Sequence, residues 1–384
     1  MQSIELFAGA GGLKLGSTLA GARPQVVIER DRWCCETLRR NSPAFAHWPD
    51  PDQNDIRAVE FGAYEGKIDL VTGGPPCQPF SIGGKHRAHQ DQRDMWSEAV
   101  RAVRETRPRA FVFENVKGLM RSGFSAYFSY ITLQLSYPEI VQHSDEAWND
   151  HLRRLERYHT SGQHDGLCYN VIPPRVLNAA DYGVPQKRER VFFVGFRADV
   201  SACWAFPVAT HSQAALLREK SAGGTYWDIH RLPRRGTASK AAKLDLELSE
   251  LRPWRTVRDA LADLPDPELL PEGATGIADH RFQPGARVYP GHTGSVLDEP
   301  AKTLKAGVHG VPGGENMMVR DDGSVRYFTV RESARLQTFP DDYRFEGSWS
   351  EAMRQLGNAV PVDLAKAVVG SVIDHLRQTT QGDG

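Results

Sequence analysis

Six short apolar runs alternate with segments of helical period through the first half of the chain, and that alternation fixes the fold class. The runs are SIELF at residues 3–7, QVVIE at 25–29, KIDLVTG at 67–73, RAFVFENV at 109–116, CYNVIPPRVLNA at 168–179 and RVFFVGF at 190–196. Between the first four lie a glycine turn entering a helix (8–22), the helix RWCCETLRRN and the helix MWSEAVRAVRETRP. Parallel neighbours in a sheet need a crossover of a dozen or more residues, usually a helix. The pattern predicts an α/β fold built on a doubly wound, mostly parallel sheet.

The alternation lapses at 125–167, where HSDEAWNDHLRRLERYH reads as a polar, exposed helix within an insertion. After Phe196 the texture changes. Residues 197–329 are rich in Gly, Pro, Arg and His and carry few periodic runs, which predicts a second, smaller, irregular β-rich domain. Residues 330–384 end in a strongly amphipathic helix expected to return to the first domain, 1–196. No run of 18 apolar residues and no leader stand out, so a soluble cytoplasmic protein with no membrane association is expected. The five cysteines lack metal-ligand spacing, which points to reduced thiols and no metal site. Lys plus Arg is 47 against 48 for Asp plus Glu. That balance neither indicates nor excludes nucleic acid, because a binding face can be locally basic.

One stretch resists a packing explanation. In GGPPCQPFS, residues 73–81, prolines at 75, 76 and 79 stiffen the backbone and remove amide donors. Cys77 is therefore held in a loop and not packed in a helix or strand. Glu114 ends an apolar strand, where ligands bind parallel sheets. Arg188 and Arg190 share one side of a strand start by its period of two. At the N-terminus a strand runs into Gly9, Gly11 and Gly12, and Glu29 ends the next strand 20 residues after Gly9. A carboxylate there suits two ribose hydroxyls. The spacing is not that of a pyrophosphate loop, so a nucleoside without phosphates fits better.

Taken in order, FAGAGG, GGPPCQPFS, ENV, QKRER, RESARLQTFPDDY and GNAVP resemble the motifs of the DNA cytosine-5 methyltransferases, and they frame nearly the whole chain. The resemblance implies a Rossmann-like fold that uses S-adenosyl-L-methionine and acts on double-stranded DNA. It makes Cys77 the nucleophile, with Glu114, Arg188 and Arg190 holding the target base. It implies cofactor contacts from Phe7, Gly9, Gly11, Gly12, Leu13, Glu29, Asp55, Ile56, Pro76, Trp96, Asn358 and Val360. Arg30 departs from the pattern, standing where many relatives have a bulky apolar or aromatic residue. DNA contacts are expected from Gln78, Ser81, Lys85, Arg87 and Arg93 in a basic loop, and from Thr303 and Leu304 in a short Thr-Leu element. The target-recognition domain would be 197–329, with cations such as Arg218, Lys220, Arg231, Arg252, Arg255 and Arg258 meeting DNA. A monomeric modification enzyme is expected, paired with a separate restriction endonuclease. The alternatives are a transfer-RNA methyltransferase and a silent DNA-binding paralogue. The first usually carries Cys-Phe-Thr where this chain has YFT at 327–329, and the second would be expected to lose Cys77 or Glu114.

Overall fold

The computed structural model describes residues 1–44, 49–52, 55–76, 95–162, 165–234, 250–269, 276–290, 293–306 and 316–381. The chain forms two compact units. Met1–Leu177, Glu189–Phe206 and Ala365–Gly384 make the first, and Asn178–Arg188 with Pro207–Leu364 the second.

The six apolar runs become six strands of one sheet: β1 (Gln2–Leu6), β2 (Arg23–Ile28), β3 (Leu70–Gly73), β4 (Ala110–Val116), β5 (Tyr169–Asn178) and β6 (Glu189–Arg197). Their order is β2-β1-β3-β4-β6-β5. β1 pairs in parallel with β2 and β3, and β3 with β4. β6 runs antiparallel to β4, from Ala110 opposite Phe196 to Val116 opposite Arg190. This reversal brings the start of β6 to the edge where β4 ends. β5 carries Pro173 and Pro174 and lies at the sheet's margin, where a missing amide is tolerated.

Helices α1 (Gly12–Leu19), α2 (Arg32–Asn41) and α3 (Trp96–Thr106) follow β1, β2 and β3. α3 buries Trp96, Ala99, Val100 and Val103, the i, i+3, i+4, i+7 stripe of an amphipathic helix. That stripe joins a core with Ile4, Leu6, Val71, Phe111, Phe113 and Phe193. The segment read as an insertion holds α4 (Ser125–Ser136) and α5 (Trp148–Ser161). α4 sends Tyr127, Tyr130, Ile131 and Leu135 into that core. α5 is not the fully exposed helix its charges suggest: His151, Leu152 and Leu155 form a buried stripe. His151 Nδ1 lies 2.9 Å from the Tyr130 hydroxyl and Nε2 2.8 Å from the Ile140 carbonyl. Burial pushes its pKa down. The neutral ring then donates from Nε2 and accepts at Nδ1.

The last helix, Val362–Gln381, belongs to a stretch long and apolar enough to cross a membrane by composition. Its Val368, Val369, Val372, Ile373 and Leu376 are fully buried within the protein. Arg109 donates to the Leu376 carbonyl at 3.1 Å.

The second unit is built from short pieces. Ser295–Val296, Met317–Val319 and Val325–Tyr327 form a three-stranded sheet, and His211–Ser212 pairs with Arg252–Pro253. Val257–Leu261 and Val330–Leu336 each start with a reciprocal capping box, Thr256 with Asp259 and Thr329 with Glu332. Each box satisfies two otherwise orphaned amides. Val257, Leu304, Met318, Phe328 and Leu336 make one small core, and Leu216, Tyr226, Trp227 and Trp254 another.

Candidate active site

Glu114 and Arg190 meet because of strand register. Arg190 stands opposite Val116, two residues beyond Glu114, so both side chains lie on one face as diagonal neighbours. Arg190 Nε lies 2.7 Å from Glu114 Oε1, with both side chains about nine-tenths buried. Burial lowers the arginine's affinity for its proton, and the carboxylate opposes that shift. A buried pair of this kind fixes an oriented carboxylate and leaves Glu114 Oε2 near the loop that follows β3. A side chain at Gly74 would place its Cβ 3.3 Å from that oxygen, and one at Gly73 only 2.6 Å from the Leu6 carbonyl. The glycine pair thus lets the loop pass close to both β1 and Glu114. Asn115, which the sequence reading quoted without a role, donates from Nδ2 to the Pro75 carbonyl at 2.9 Å. It ties the same loop down two residues before Cys77. Pro75 is buried and Pro76 exposed. Cys77, Gln78, Ser81, Lys85, Arg87 and Arg93 lie outside the described residues.

A second cluster forms where β1 ends. Phe7 adopts φ 53°, a left-handed conformation uncommon for a bulky side chain. Gly9 and Gly11 follow at φ 53° and 85°. Gly12 and Leu13 open α1 and are buried. Glu29 links this turn to the chain that follows β2. Oε2 accepts from the Gly9 amide and Oε1 from the Asp31 amide, each at 2.7 Å. Burial raises its pKa and the amide bonds pull it back. Among the described residues, chain neighbours aside, no atom lies within 4 Å of where a Gly9 Cβ would stand, so the turn is open there above the glycine.

Asp55 caps the short turn Ile56–Ala58. It accepts from Arg57 Nε at 2.9 Å and reaches Arg30 Nη1 at 3.5 Å. Hydrogen bonding to Arg57 holds its carboxyl well below the usual range. Ile56 is buried in the main core. Trp96 takes a packing position, edge-on to Phe193 at 5.0 Å and Phe113 at 6.0 Å between ring centroids.

Beneath the glycine turn lies a charge pair that motif reading passed over. Glu5 on β1 accepts from the Thr72 hydroxyl, and both Glu5 and Lys14 on α1 are buried. Burial pushes Glu5 up to about 8 and Lys14 down to about 7, and their mutual attraction opposes both shifts. The signal for this pair was a glutamate alternating with apolar residues on a buried strand.

In the second unit, Arg188 is fully buried before β6 begins. It donates to the Leu304 carbonyl at 2.9 Å and the Gly357 carbonyl at 2.7 Å. The shared face read for Arg188 and Arg190 is therefore divided into two different jobs. Thr303 donates its hydroxyl to the Lys187 carbonyl at 2.7 Å. The Leu304 side chain packs in a core, so any contact it makes with DNA falls to its backbone. Asn358 is exposed at the end of the helix Trp349–Asn358, and Val360 is buried. The proposed basic surface also divides. Lys220 is buried and bonded to Glu299 at 3.1 Å, and Arg258 is held by Asp298 and Asp321 at 2.6 and 2.7 Å. These two are structural cations. Arg231, Arg252 and Arg255 are exposed and have no carboxylate partner among the described residues. No group of three or more potential metal ligands occurs among the described residues.

Comparison with known proteins bears on what these clusters are for. The family model described as C-5 cytosine-specific DNA methylase matches residues 1–137 and 147–374. The chain is 32% identical to the type II methyltransferase M.PspPI of a Psychrobacter species, over 97% of this chain and 79% of that protein. It is also 32% identical to M.Eco47II of Escherichia coli, over 97% and 78%. In fold it is similar to a prophage-encoded putative DNA modification methyltransferase of E. coli, with a TM-score of 0.58 at 21% identity, covering 98% of this chain and 99% of that one.

Proposed function

The chain belongs to the family of C-5 cytosine-specific DNA methylases, and from that premise we propose how its own residues methylate carbon 5 of cytosine in DNA. The observation that carries the reading is the buried Glu114–Arg190 pair at the edge where β4 ends, beside the loop that leads to Cys77.

Carbon 5 of cytosine is too weak a nucleophile to take a methyl group unaided. Addition of the Cys77 thiolate to carbon 6 makes carbon 5 enamine-like. A free thiol with a pKa of about 8.5 is only partly ionised at neutral pH, so its surroundings must favour the thiolate. Glu114 holds ring nitrogen 3 and the exocyclic amine, and stabilises the added ring as a general acid. Arg190 keeps that carboxylate oriented and faces the ring carbonyl oxygen. Loss of the carbon 5 proton and expulsion of the Cys77 thiolate then restore the aromatic ring. The base must first leave the helical stack, since neither face of carbon 6 is accessible within it.

S-adenosyl-L-methionine, the methyl donor we assign, supplies an electrophilic methyl on sulfur. The first unit's residues fit its nucleoside: the Glu29 carboxylate, held by the Gly9 and Asp31 amides, takes the two ribose hydroxyls, and among the described residues no side chain crowds Gly9. Asp55 and Ile56 take the adenine edge. Phe7, Gly11, Gly12, Leu13, Pro76, Trp96, Asn358 and Val360 complete the cofactor set proposed from the motifs, Trp96 as a packing wall. We assign catalysis to residues 1–196 and sequence choice to 197–329. The chain acts as a cytoplasmic monomer and as the modification partner of a separate restriction endonuclease.

Duplex DNA containing 5-fluorocytosine tests the reading. The wild type, given S-adenosyl-L-methionine, should form an adduct that survives denaturing electrophoresis, and Cys77→Ser should form none while still binding DNA. An adduct mapped to another cysteine would remove Cys77 from its role.

A further inference from the structure

Residues 276–290 carry an exposed strip that sets arginines without a carboxylate partner among the described residues, like Arg231, Arg252 and Arg255, beside exposed apolar and aromatic side chains. Its foot is firmly rooted. His280 is fully buried, with Nδ1 2.9 Å from the Thr329 hydroxyl and Nε2 2.8 Å from the Pro265 carbonyl. Asp279, the segment's one carboxylate, is taken by Arg331 at 3.4 Å and by the Phe345 amide at 3.2 Å. Arg331 also donates its backbone amide to the Asp279 carbonyl at 2.9 Å.

Immediately beyond this foot the chain turns outward without regular secondary structure. Arg281, Phe282, Arg287, Val288 and Tyr289 are all exposed, the three apolar side chains by 38%, 56% and 46% in order. Gly285, at φ 91°, turns the strip midway. The Arg287 guanidinium lies over the Tyr289 ring, 5.5 Å from its centroid. Among the described residues neither Arg281 nor Arg287 has a carboxylate partner, whereas Arg258, Arg326 and Arg335 in the same unit are all ion-paired. The strip is therefore net positive, aromatic and anchored.

The geometry points to residues 281–289 as an element that reads duplex DNA, with Arg287 the specificity-determining side chain and Arg281 a phosphate contact. The assignment rests on the DNA-methylating function above. A guanidinium laid against a tyrosine is restrained before it binds, so less freedom is lost when its planar fork engages an acceptor pair. The acceptor pair that fits this fork is O6 and N7 of guanine in the major groove. Phosphate contacts position a duplex without reading it, and the unstacked cation Arg281 suits that work.

The experiment uses the purified full-length chain, its wild type and the variants Arg287→Ala, Arg287→Lys and Arg281→Ala. Methylated positions in plasmid DNA are mapped by bisulfite sequencing, and binding is measured on a preferred and a scrambled duplex across a salt series. Both Arg287 variants should relax base choice at one position and weaken binding to the preferred duplex by roughly 5–100-fold. Arg287→Lys should leave scrambled-duplex binding unchanged, because it keeps the charge and loses only the fork. Arg281→Ala should weaken both duplexes alike and flatten the salt dependence by about one unit of slope. If the Arg287 variants keep the wild-type set of sites and relative rates, or weaken both duplexes equally, the base-reading role is overturned while the enzyme assignment stands. A wild type that methylates no DNA would overturn both.

Discussion

The two units use charge in opposite ways. In the first, charged groups stand at strand ends. Glu29 follows β2, Glu114 lies near the end of β4 and Arg190 near the start of β6. Strand direction carries them to one edge of the sheet, and the antiparallel β6 delivers a cation to that edge. In the second unit charge is spent on folding. Arg258, Arg326 and Arg335 are held by carboxylates 6 to 72 residues away. With so little regular structure, ion pairs and capping boxes stand in for a large apolar core. The difference teaches how to read a near-neutral chain. A cation in the second unit is structural unless no acid lies within reach; Arg231, Arg252, Arg255, Arg281 and Arg287 meet that test among the described residues, and Arg287 is notable because it also lies over an aromatic ring.

The contrast can be broken most forcefully at Glu114. Glu114→Gln keeps the shape and removes the acid, so turnover at saturating DNA and cofactor should fall about 10²–10⁴-fold. Cofactor affinity, measured by calorimetry without DNA, should be unchanged. A loss of less than tenfold would place Glu114 with the structural charges.

Two arginines separated by one residue sharpen the comparison further. Arg188→Met strips donors from the Leu304 and Gly357 carbonyls, and each buried group left unsatisfied costs about 1–3 kcal/mol. The expected result is a clear drop in melting temperature. Arg190→Met should show the reverse balance, with turnover lost and a smaller thermal shift. Equal shifts from both would erase the division between them.

The smallest effect concerns Glu5, a buried carboxyl in the first unit outside the candidate site. Its folded pKa of about 8 lies above the ordinary 4.5, so the folded state keeps a proton that the unfolded chain releases. Stability therefore declines as pH rises from 4.5 toward 8. Lys14, lowered from 10.5 to about 7, acts in the other direction, and stability recovers above pH 7. Glu5→Gln should remove the first slope, narrowing the difference between unfolding free energies from urea titrations at pH 5 and pH 8 by about 1–3 kcal/mol. An unchanged slope would mean that the carboxyl titrates normally.

What the sequence disclosed and what it concealed follow from range. The sheet was legible because a period of two and a period of 3.6 are local, and FVFENV announces both a buried strand and the acid near its end. β5 and its two prolines could be placed as a strand, but not at the margin, since strand order is set by pairing partners far along the chain. Arg188 and Arg190 look alike in QKRER. Only the strand boundary at Glu189 and the distant carbonyls of Leu304 and Gly357 separate them. Lys220 and Arg258 looked like DNA contacts because Asp298 and Glu299, their partners, lie 40 to 79 residues away. The insertion was misjudged in α5 because ten polar residues outweighed a narrow apolar stripe in any local average.

Glu29 grips the chain with both oxygens before any ligand arrives. The glycine turn is thus ordered as part of folding, and its backbone entropy is lost at that stage. A nucleoside that settles there gives up its own translational and rotational freedom but asks little further ordering of the polypeptide. Methyl donor and demethylated product carry the same ribose. On the cofactor reading proposed above, the corner that receives one is shaped for the other, and each turnover exchanges them without rebuilding it.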